Sequence, residues 1–281
     1  MWGAIIGDLA GSIYEFEQCK KVRPIEVKTL IPNDSFFSDD TILTIAVLEA
    51  FLTNKNYEYF LKKYAQEFIN YKPDHKPYFE KPFSPGFIKW VNGDYEGTST
   101  GNGAMMRISA IGYLSKTEEE LIENVKLATS CSHNSESALN NCLIIAKIIY
   151  LANRGQTKDE IIKKLNININ YKPFEEFNMT CETTIDNCLY ALFTSNSFEE
   201  SLKKVISYGG DTDTNACIVG SMAEAFYGID VDLIEQAKAK IPASFTKILN
   251  EGYEKKELNK NNNGICYNKQ RRFWKWLITI K

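Results

Sequence analysis

Residues 41–53 read TILTIAVLEAFLT, and this apolar run is the clearest indication of the fold. Its apolar side chains extend nearly all the way round a helix, whereas a surface helix keeps a polar face. Such a helix must be surrounded by other elements, so residues 41–53 predict the central helix of the molecule. The residues that introduce it, Ser38-Asp39-Asp40-Thr41, are in contrast rich in oxygen.

Helical periodicity continues through most of the chain. Residues 57–71 carry one apolar stripe, and residues 135–153 contain a second strongly apolar run. The pattern of a capping box, a hydroxyl residue followed three positions later by glutamate, occurs at Thr117, Thr157 and Ser197. Further helices are expected over residues 4–17, 84–92, 103–114, 118–130, 158–165, 181–194, 198–207, 214–227, 231–239 and 243–257.

Strand signals are weak and lie in residues 23–31 and 275–281, and the asparagine-rich residues 259–264 predict a mobile loop. The chain has neither a repeat of fixed period nor a long linker. Scattered buried helices with short connections need one shared core. The sequence therefore predicts a single all-α domain over residues 1–281.

The composition argues against several classes of protein. A net charge of −3 provides no basic surface for nucleic acid or for an anionic membrane. No apolar run reaches the roughly 18 residues of a membrane span, and the first residues meet Asp8 without a basic region, so we expect a cytoplasmic protein. The seven cysteines include no CxxC pair. Apolar helical surroundings predict buried reduced thiols at Cys142, Cys181, Cys188 and Cys217.

Two oxygen-rich clusters precede apolar helices, SDDT at residues 38–41 and GGDTDTNA at residues 209–216. The simplest interpretation is that Asp213 or Thr214 caps the second helix. A cap uses one side chain, however, and four carboxylates flanked by apolar sequence need more positive charge than helix N-termini supply. The clusters contain no His or Cys, so the oxygen donors favour Mg²⁺, Mn²⁺ or Ca²⁺ over zinc.

Three further stretches carry weaker signals. Asp8 and Glu15 lie two turns apart, so they share a helix face that points either to solvent or to a site. Residues 101–103, Gly-Asn-Gly, open a helix and form either a simple turn or a phosphate cradle. Arg107 follows as an anion partner or as a surface ion pair. His133 precedes a buried helix and is either a cap-region residue or a ligand-binding one.

Taken in order, five stretches resemble the ADP-ribosylglycohydrolase family: GDLAGSIYE (7–15), SDDT (38–41), GNGAMMR (101–107), SHNSESA (132–138) and GGDTDTNA (209–216). The resemblance implies an all-α, compact orthogonal helix bundle with a binuclear Mg²⁺ or Mn²⁺ site at the base of a cleft. The chain departs from the family at Ala110, where many members have proline, and at Ser132, where threonine is common. Neither departure falls on a matched metal ligand.

The resemblance also implies roles for individual residues. Metal ligands match at Ser38, Asp39, Asp40, Asp211, Asp213 and Thr214. The carboxylates that would orient the attacking water or relay its proton are Glu15, Asp39 and Asp40. Substrate-binding positions, including a loop for the diphosphate and a histidine near the distal ribose, match at Gly101, Asn102, Gly103, Ala104, Met105, His133 and Gly210.

We therefore expect a metal-dependent hydrolase that releases ADP-ribose from an acceptor, with protein arginine favoured. The alternatives are ADP-ribosyl-serine or O-acetyl-ADP-ribose hydrolysis, or a non-catalytic ADP-ribose-binding protein. Apart from the resemblance, a two-metal phosphohydrolase with His75 or His133 as a ligand and a capped helical bundle without ligand also fit the residues. The expected partner is an ADP-ribosylated protein or a small ADP-ribose conjugate, bound by a monomer.

Overall fold

The computed structural model describes residues 1–18, 26–73, 81–172, 177 and 179–262. Within these ranges the regular structure is helical, and β-structure is limited to the isolated bridges Thr98–His133 and Gly101–Thr180. The helices are α1 Trp2–Gln18, α2 Asp39–Leu52, α3 Tyr57–Glu67, α4 Pro85–Val91, α5 Gly103–Met106, α6 Ser109–Leu114, α7 Glu118–Ser130, α8 Glu136–Ala152, α9 Lys158–Leu165, α10 Cys181–Phe193, α11 Phe198–Ser207, α12 Thr212–Tyr227, α13 Val231–Lys238 and α14 Ala243–Asn262.

The predicted central helix is confirmed. Every residue from Asp40 to Leu48 is buried, and α2 packs against α1, α3, α6 and α14. The described helices bury one continuous apolar cluster around it, which confirms the all-α fold. The assignment of residues 1–281 to a single domain stays a prediction.

Helices α1 and α12 approach each other closely because glycines of α1 face the backbone of α12. A Cβ atom built on Gly7 would lie 2.1 Å from the carbonyl oxygen of Ala216, and one on Gly11 would lie 2.3 Å from the carbonyl oxygen of Thr212. Side chains at these two positions would force the helices apart. The contact places the amino end of α12, residues 211–214, beside the polar residues of α1.

The largest differences from the predicted helix bounds occur at three places. The helix expected over residues 103–114 is two helices, because the chain leaves helical geometry at Arg107 (φ −94°, ψ −1°) and Ile108. There the buried Arg107 guanidinium reaches away from its own segment and donates to the carbonyl oxygen of Ala128 in α7 over 3.2 Å. In addition, α3 ends at Glu67 rather than at residue 71, and α14 continues to Asn262, where a loop was expected.

The predicted capping boxes form in part. Thr157 and Glu160 exchange both hydrogen bonds of a full box. At Thr117 and Ser197 the hydroxyl caps its helix as predicted, but the glutamate three residues on accepts from the N–H group one residue before the cap. The carboxylate thus satisfies a different donor from the one the pattern names.

Other expectations concern strands, thiols and membranes. Residues 26–31 form no strand, while residues 23–25, 263–264 and 275–281 lie outside the described part of the chain. The four cysteines expected to be buried thiols are buried and unpaired. Among the described helices, none has the length and apolar character needed to cross a bilayer.

Candidate active site

Six carboxylates meet where α1, α2 and α12 come together, and we call this set the acidic centre: Asp8, Glu15, Asp39, Asp40, Asp211 and Asp213. Carboxylate oxygens of Asp8, Asp40 and Asp213 lie within 4.8 Å of one another. Those of Glu15, Asp211 and Asp213 form a second group of the same size. Asp213 belongs to both groups, so the two oxygen-rich clusters of the sequence are one site in space.

Hydroxyl groups connect the clusters directly. The Thr214 hydroxyl donates to Oδ2 of Asp40 over 3.0 Å. The Ser38 hydroxyl lies 3.2 Å from the same Asp40 oxygen and 2.9 Å from Oδ1 of Asp8, and having one proton it donates to one of them at a time. Ser38 also occupies the N-cap of α2, where its oxygen accepts from the N–H of Asp40 over 3.2 Å. The Ser38 side chain therefore both caps α2 and belongs to the acidic centre's hydrogen-bond network.

Asp8 lies beneath the SDDT segment and holds it in place. Its Oδ2 accepts from the N–H of Ser38 over 2.9 Å and from the N–H of Thr41 over 3.0 Å, and the Thr41 hydroxyl donates to the same oxygen over 2.5 Å. Asp8 is fully buried. Of the two interpretations of this helix face, solvent is therefore wrong for Asp8, which lies in the site although the sequence analysis assigned it no role. The available signal was a lone carboxylate in an otherwise apolar stretch.

The cap interpretation of the second cluster is also wrong. The N-cap residue of α12 is Asp211, so neither Asp213 nor Thr214 occupies that position. One Asp211 oxygen accepts from Nδ2 of Asn102 over 2.6 Å, which ties the Gly-Asn-Gly segment to the acidic centre. Asp213 Oδ1 accepts from the N–H of Thr214 over 2.7 Å.

The acidic centre carries more negative charge than its surroundings offset. Burial, followed by repulsion from Asp8 and Asp211, raises the pKa of Asp39 to about 8. Burial and neighbouring carboxylates likewise raise the pKa of Asp40 and of Asp213 well above the ordinary range. Asp40 Oδ1 and Glu15 Oε2 are buried without a hydrogen-bond partner among the described residues. Unpartnered oxygens in a crowded, all-oxygen donor set fit hard divalent cations such as Mg²⁺ or Mn²⁺.

The acidic centre opens into a cleft of about 650 Å³. Glu15, Asp39, Asp211 and Asp213 line it, whereas Asp8 and Asp40 lie behind its surface. An aromatic wall, made of Phe83, Phe87 and Trp90, lines the same cleft. The ring centroids of Phe83 and Phe87 are 5.5 Å apart, and those of Phe87 and Trp90 are 5.3 Å apart. The sequence analysis missed this wall, because Phe87 and Trp90 have the spacing of core residues on α4 and Phe83 precedes the helix.

The other predicted substrate-binding positions divide into two groups. Gly101, Asn102, Gly103 and His133 line the cleft. The remaining three are buried and do not line it: Ala104, Met105 and Gly210. The Met105 N–H donates to the carbonyl oxygen of Asn102 over 2.8 Å, so this amide is already used. The roles assigned to these positions stay predictions.

His133 and Arg107 form a polar cluster beside the Gly-Asn-Gly segment. Arg107 is fully buried, so the expectation of a surface ion pair is wrong. Its guanidinium donates to the Ser132 hydroxyl oxygen over 2.6 Å, and that hydroxyl lies 2.8 Å from Nδ1 of His133. The N-cap of α8 is Ser135, and burial together with the Arg107 charge lowers the pKa of His133 to about 3. His75 lies outside the described residues.

Comparison with known proteins gives a consistent result. The family model described as ADP-ribosylglycohydrolase matches residues 1–270. ADP-ribosylhydrolase ARH3 of Homo sapiens is 21% identical, over 91% of this chain and 89% of its own. ADP-ribosylarginine hydrolase Tri1 of Pseudomonas putida is 22% identical, over 81% of this chain and 69% of its own. A solved structure titled ADP-ribosylglycohydrolase-related protein complex superposes with a TM-score of 0.65 at 18% identity, covering 92% of this chain and 93% of the other.

Proposed function

Because the chain belongs to the ADP-ribosylglycohydrolase family and is thus a hydrolase of ADP-ribosyl glycosidic bonds, we propose that it removes ADP-ribose from arginine side chains of proteins. The observation that carries this proposal is the convergence of the two oxygen-rich clusters on one cleft that also contains an aromatic wall. Hydrolysis needs the converging oxygen-rich clusters, and the aromatic wall favours recognition of a guanidinium.

We propose that two Mg²⁺ or Mn²⁺ ions complete the site. The residues that would hold them are Ser38, Asp39, Asp40, Asp211, Asp213 and Thr214. When bound, such ions supply positive charge that orients the ribose hydroxyls and lowers the pKa of water. The unpartnered oxygens of Asp40 and Glu15 and the raised pKa values around them support this assignment.

The carboxylates of the chain have different roles in this proposal. Glu15 and Asp39 line the cleft, so they can reach an attacking water and accept its proton. Asp40 is buried behind them, and its oxygen accepts from Thr214, so we assign it to holding the two clusters together. Breaking a glycosidic bond develops positive charge on the anomeric carbon, and the surrounding carboxylates stabilise that charge.

The choice of arginine rests on the aromatic wall. A guanidinium is planar, always charged and weakly hydrated, so it stacks on aromatic faces. Phe87 is half-buried in the cleft and packs against Trp90, so ring surface lines the same cleft as the carboxylates. A serine hydroxyl or an acetyl ester has no cation to place there. The Pseudomonas putida relative, an ADP-ribosylarginine hydrolase, points to the same acceptor.

The test measures release of free ADP-ribose from three matched substrates: an arginine-linked peptide, a serine-linked peptide and O-acetyl-ADP-ribose. Each is incubated with Mg²⁺, with Mn²⁺ and with EDTA. We expect metal-dependent release that is fastest from the arginine-linked peptide. Faster release from either other substrate would overturn the acceptor. ADP-ribose binding without any release would indicate a non-catalytic binding protein, and formation of AMP with a ribose phosphate would indicate a phosphohydrolase.

A further inference from the structure

We propose that Arg107 and Ser132 are positioning residues that hold His133 in one neutral tautomer, with its proton on Nε2 and directed into the cleft. In this form Nε2 donates a hydrogen bond to a phosphate or hydroxyl oxygen of the bound ligand. The hydrogen bond from Nε2 to the ligand rests on the proposed function, whereas the tautomer is inferred from the contacts of these three residues alone.

The donors and acceptors available favour one direction for each hydrogen bond. A guanidinium has donors only, so the Ser132 oxygen must accept from Arg107 at their separation of 2.6 Å. The Ser132 hydroxyl is buried, and its hydrogen-bonded acceptor among the described residues is Nδ1 of His133 at 2.8 Å, so donation to Nδ1 keeps the buried proton paired. Nδ1 therefore accepts, and in a neutral imidazole the proton resides on Nε2.

The remaining donor of this chain of contacts faces the ligand side. Nε2 of His133 has no hydrogen-bond partner among the described residues. It would lie 3.8 Å from a Cβ atom built on Gly103 and 4.0 Å from one built on Gly101, so it borders the open space above the two glycines. His133 and both glycines line the cleft. A ligand oxygen in that space would meet an N–H group already oriented towards it.

The surroundings keep the three residues in this order. The Arg107 guanidinium is fully buried and also donates to the carbonyl oxygen of Ala128 over 3.2 Å, which fixes its plane. The backbone of Ser132 accepts from the N–H of Ser99 over 3.3 Å, and the N–H of His133 donates to the carbonyl oxygen of Thr129 over 2.8 Å. Burial and the adjacent guanidinium charge oppose protonation of His133, whose pKa is lowered to about 3.

Nuclear magnetic resonance of ¹⁵N-labelled histidine tests the tautomer directly. The chain has two histidines, so a His75→Gln variant leaves the signals of His133 alone. At pH 7 we expect a protonated Nε2 and an unprotonated Nδ1. The Ser132→Ala change should produce a mixture of the two tautomers, and Ser132→Thr, which restores the hydroxyl, should return the single form. A proton on Nδ1, or a Ser132→Ala spectrum identical to that of the parent, would overturn the proposal.

Binding of ADP-ribose, measured by calorimetry, supplies the second readout. Because one oriented hydrogen bond is lost, Ser132→Ala should weaken binding by roughly tenfold while Ser132→Thr stays within about twofold. Equal binding by all three proteins would contradict a ligand-facing Nε2. These results do not depend on hydrolysis of the arginine-linked peptide, so failure of the proposed acceptor would leave the tautomer measurement intact.

Discussion

The hydroxyl of Thr214 donates a hydrogen bond to Oδ2 of Asp40 over 3.0 Å, which joins residues 174 positions apart in the chain. Each residue belongs to the start of a buried helix, α2 or α12. The two helix starts therefore form one site rather than two separate caps. Every carboxylate added to this site increases the repulsion that a cation relieves, so stability and metal affinity are coupled here.

Asp213 is the sharpest test of that coupling, because it belongs to both groups of neighbouring carboxylates. The Asp213→Asn change should lower the hydrolysis rate at least about 100-fold and weaken Mg²⁺ binding, since it removes a charged oxygen from both groups. In EDTA the same variant should melt at a higher temperature than the parent, because an asparagine neither buries a negative charge nor has to take up a proton on folding. Calorimetric titration and thermal melts measure the two effects.

The matched control is Asp232→Asn, which removes the carboxylate of an exposed residue in the first turn of α13. It should leave both metal affinity and rate unchanged. Full activity in the Asp213→Asn variant would exclude a metal-supported mechanism at this site.

Thr41 tests whether Asp8 acts by holding the SDDT segment. Replacing it with valine keeps the shape of the side chain but removes the hydroxyl that donates to Asp8 Oδ2 over 2.5 Å. Loss of a hydrogen bond to a group that positions metal ligands typically costs about 10- to 100-fold in affinity or activity. We expect Thr41→Val to show such a loss, measured by Mg²⁺ titration, and Thr41→Ser to retain parent behaviour. Equal metal affinity in both variants would remove Asp8 from the site.

The sequence identified what depends on local pattern. Residues 41–53 predict the central helix because burial all round a helix is visible in the sequence itself. The break at Arg107 was not predictable in the same way, since the contacts made there join it to Ala128 and Ser132, in and just after α7. Local periodicity over residues 103–114 indicates one helix, and tertiary contacts override it.

The residues of the site show the same difference between local sequence pattern and tertiary contact. The sequence predicts a site at Ser38, Asp39 and Asp40, because adjacent carboxylates precede an apolar helix. The place of Asp8 in the site does not follow from local sequence, because its hydrogen-bond partners lie 30 and 33 residues away and only the folded chain shows that it accepts from them. The aromatic wall was missed for a related reason. Phe87 and Trp90 have ordinary helical spacing, and only the packing of α4 places them in the lining of the cleft.

The metal-free protein should lose stability as pH rises. The pKa of Asp39 is raised to about 8 and that of Asp8 to about 6, mainly by burial. Between about pH 4 and pH 8 these carboxyl groups therefore retain protons in the folded state that they have released in the unfolded chain, so their contribution to the free energy of unfolding falls with rising pH. In EDTA, the melting temperature should be higher at pH 5 than at pH 8, and Mg²⁺ should raise it most at pH 8.

An Asp39→Asn variant provides the control for this pH dependence, because it removes one of the titrating carboxylates of the acidic centre while preserving side-chain size. Its melting temperature in EDTA should vary less between pH 5 and pH 8 than that of the parent. A parent profile that is flat, or that rises with pH, would contradict the picture of buried, mutually repelling carboxylates.

Phe87 tests the acceptor assignment. Replacing it with leucine keeps an apolar side chain in the cleft but removes the ring face on which a guanidinium would stack. We expect kcat/KM for the arginine-linked peptide to fall by roughly fivefold to tenfold, with little change for the serine-linked peptide. Phe87→Tyr should retain the parent preference. An equal fall for both peptides would mean that the ring shapes the cleft without selecting arginine.

Gly7 tests the packing that brings the acidic centre together. A Cβ atom at this position would lie 2.1 Å from the backbone oxygen of Ala216, and backbone cannot move aside as a flexible side chain can. Gly7→Ala should lower the free energy of unfolding by about 1–3 kcal/mol or more, as overpacking of a tight core does. Gly86→Ala is the control, because a Cβ atom there meets nothing within 4 Å. Denaturant titration of both variants measures the difference. Since Gly7 adjoins Asp8, separation of α1 from α12 should also weaken Mg²⁺ binding by Gly7→Ala, and unchanged stability and metal affinity would show that the close approach of the two helices is not required.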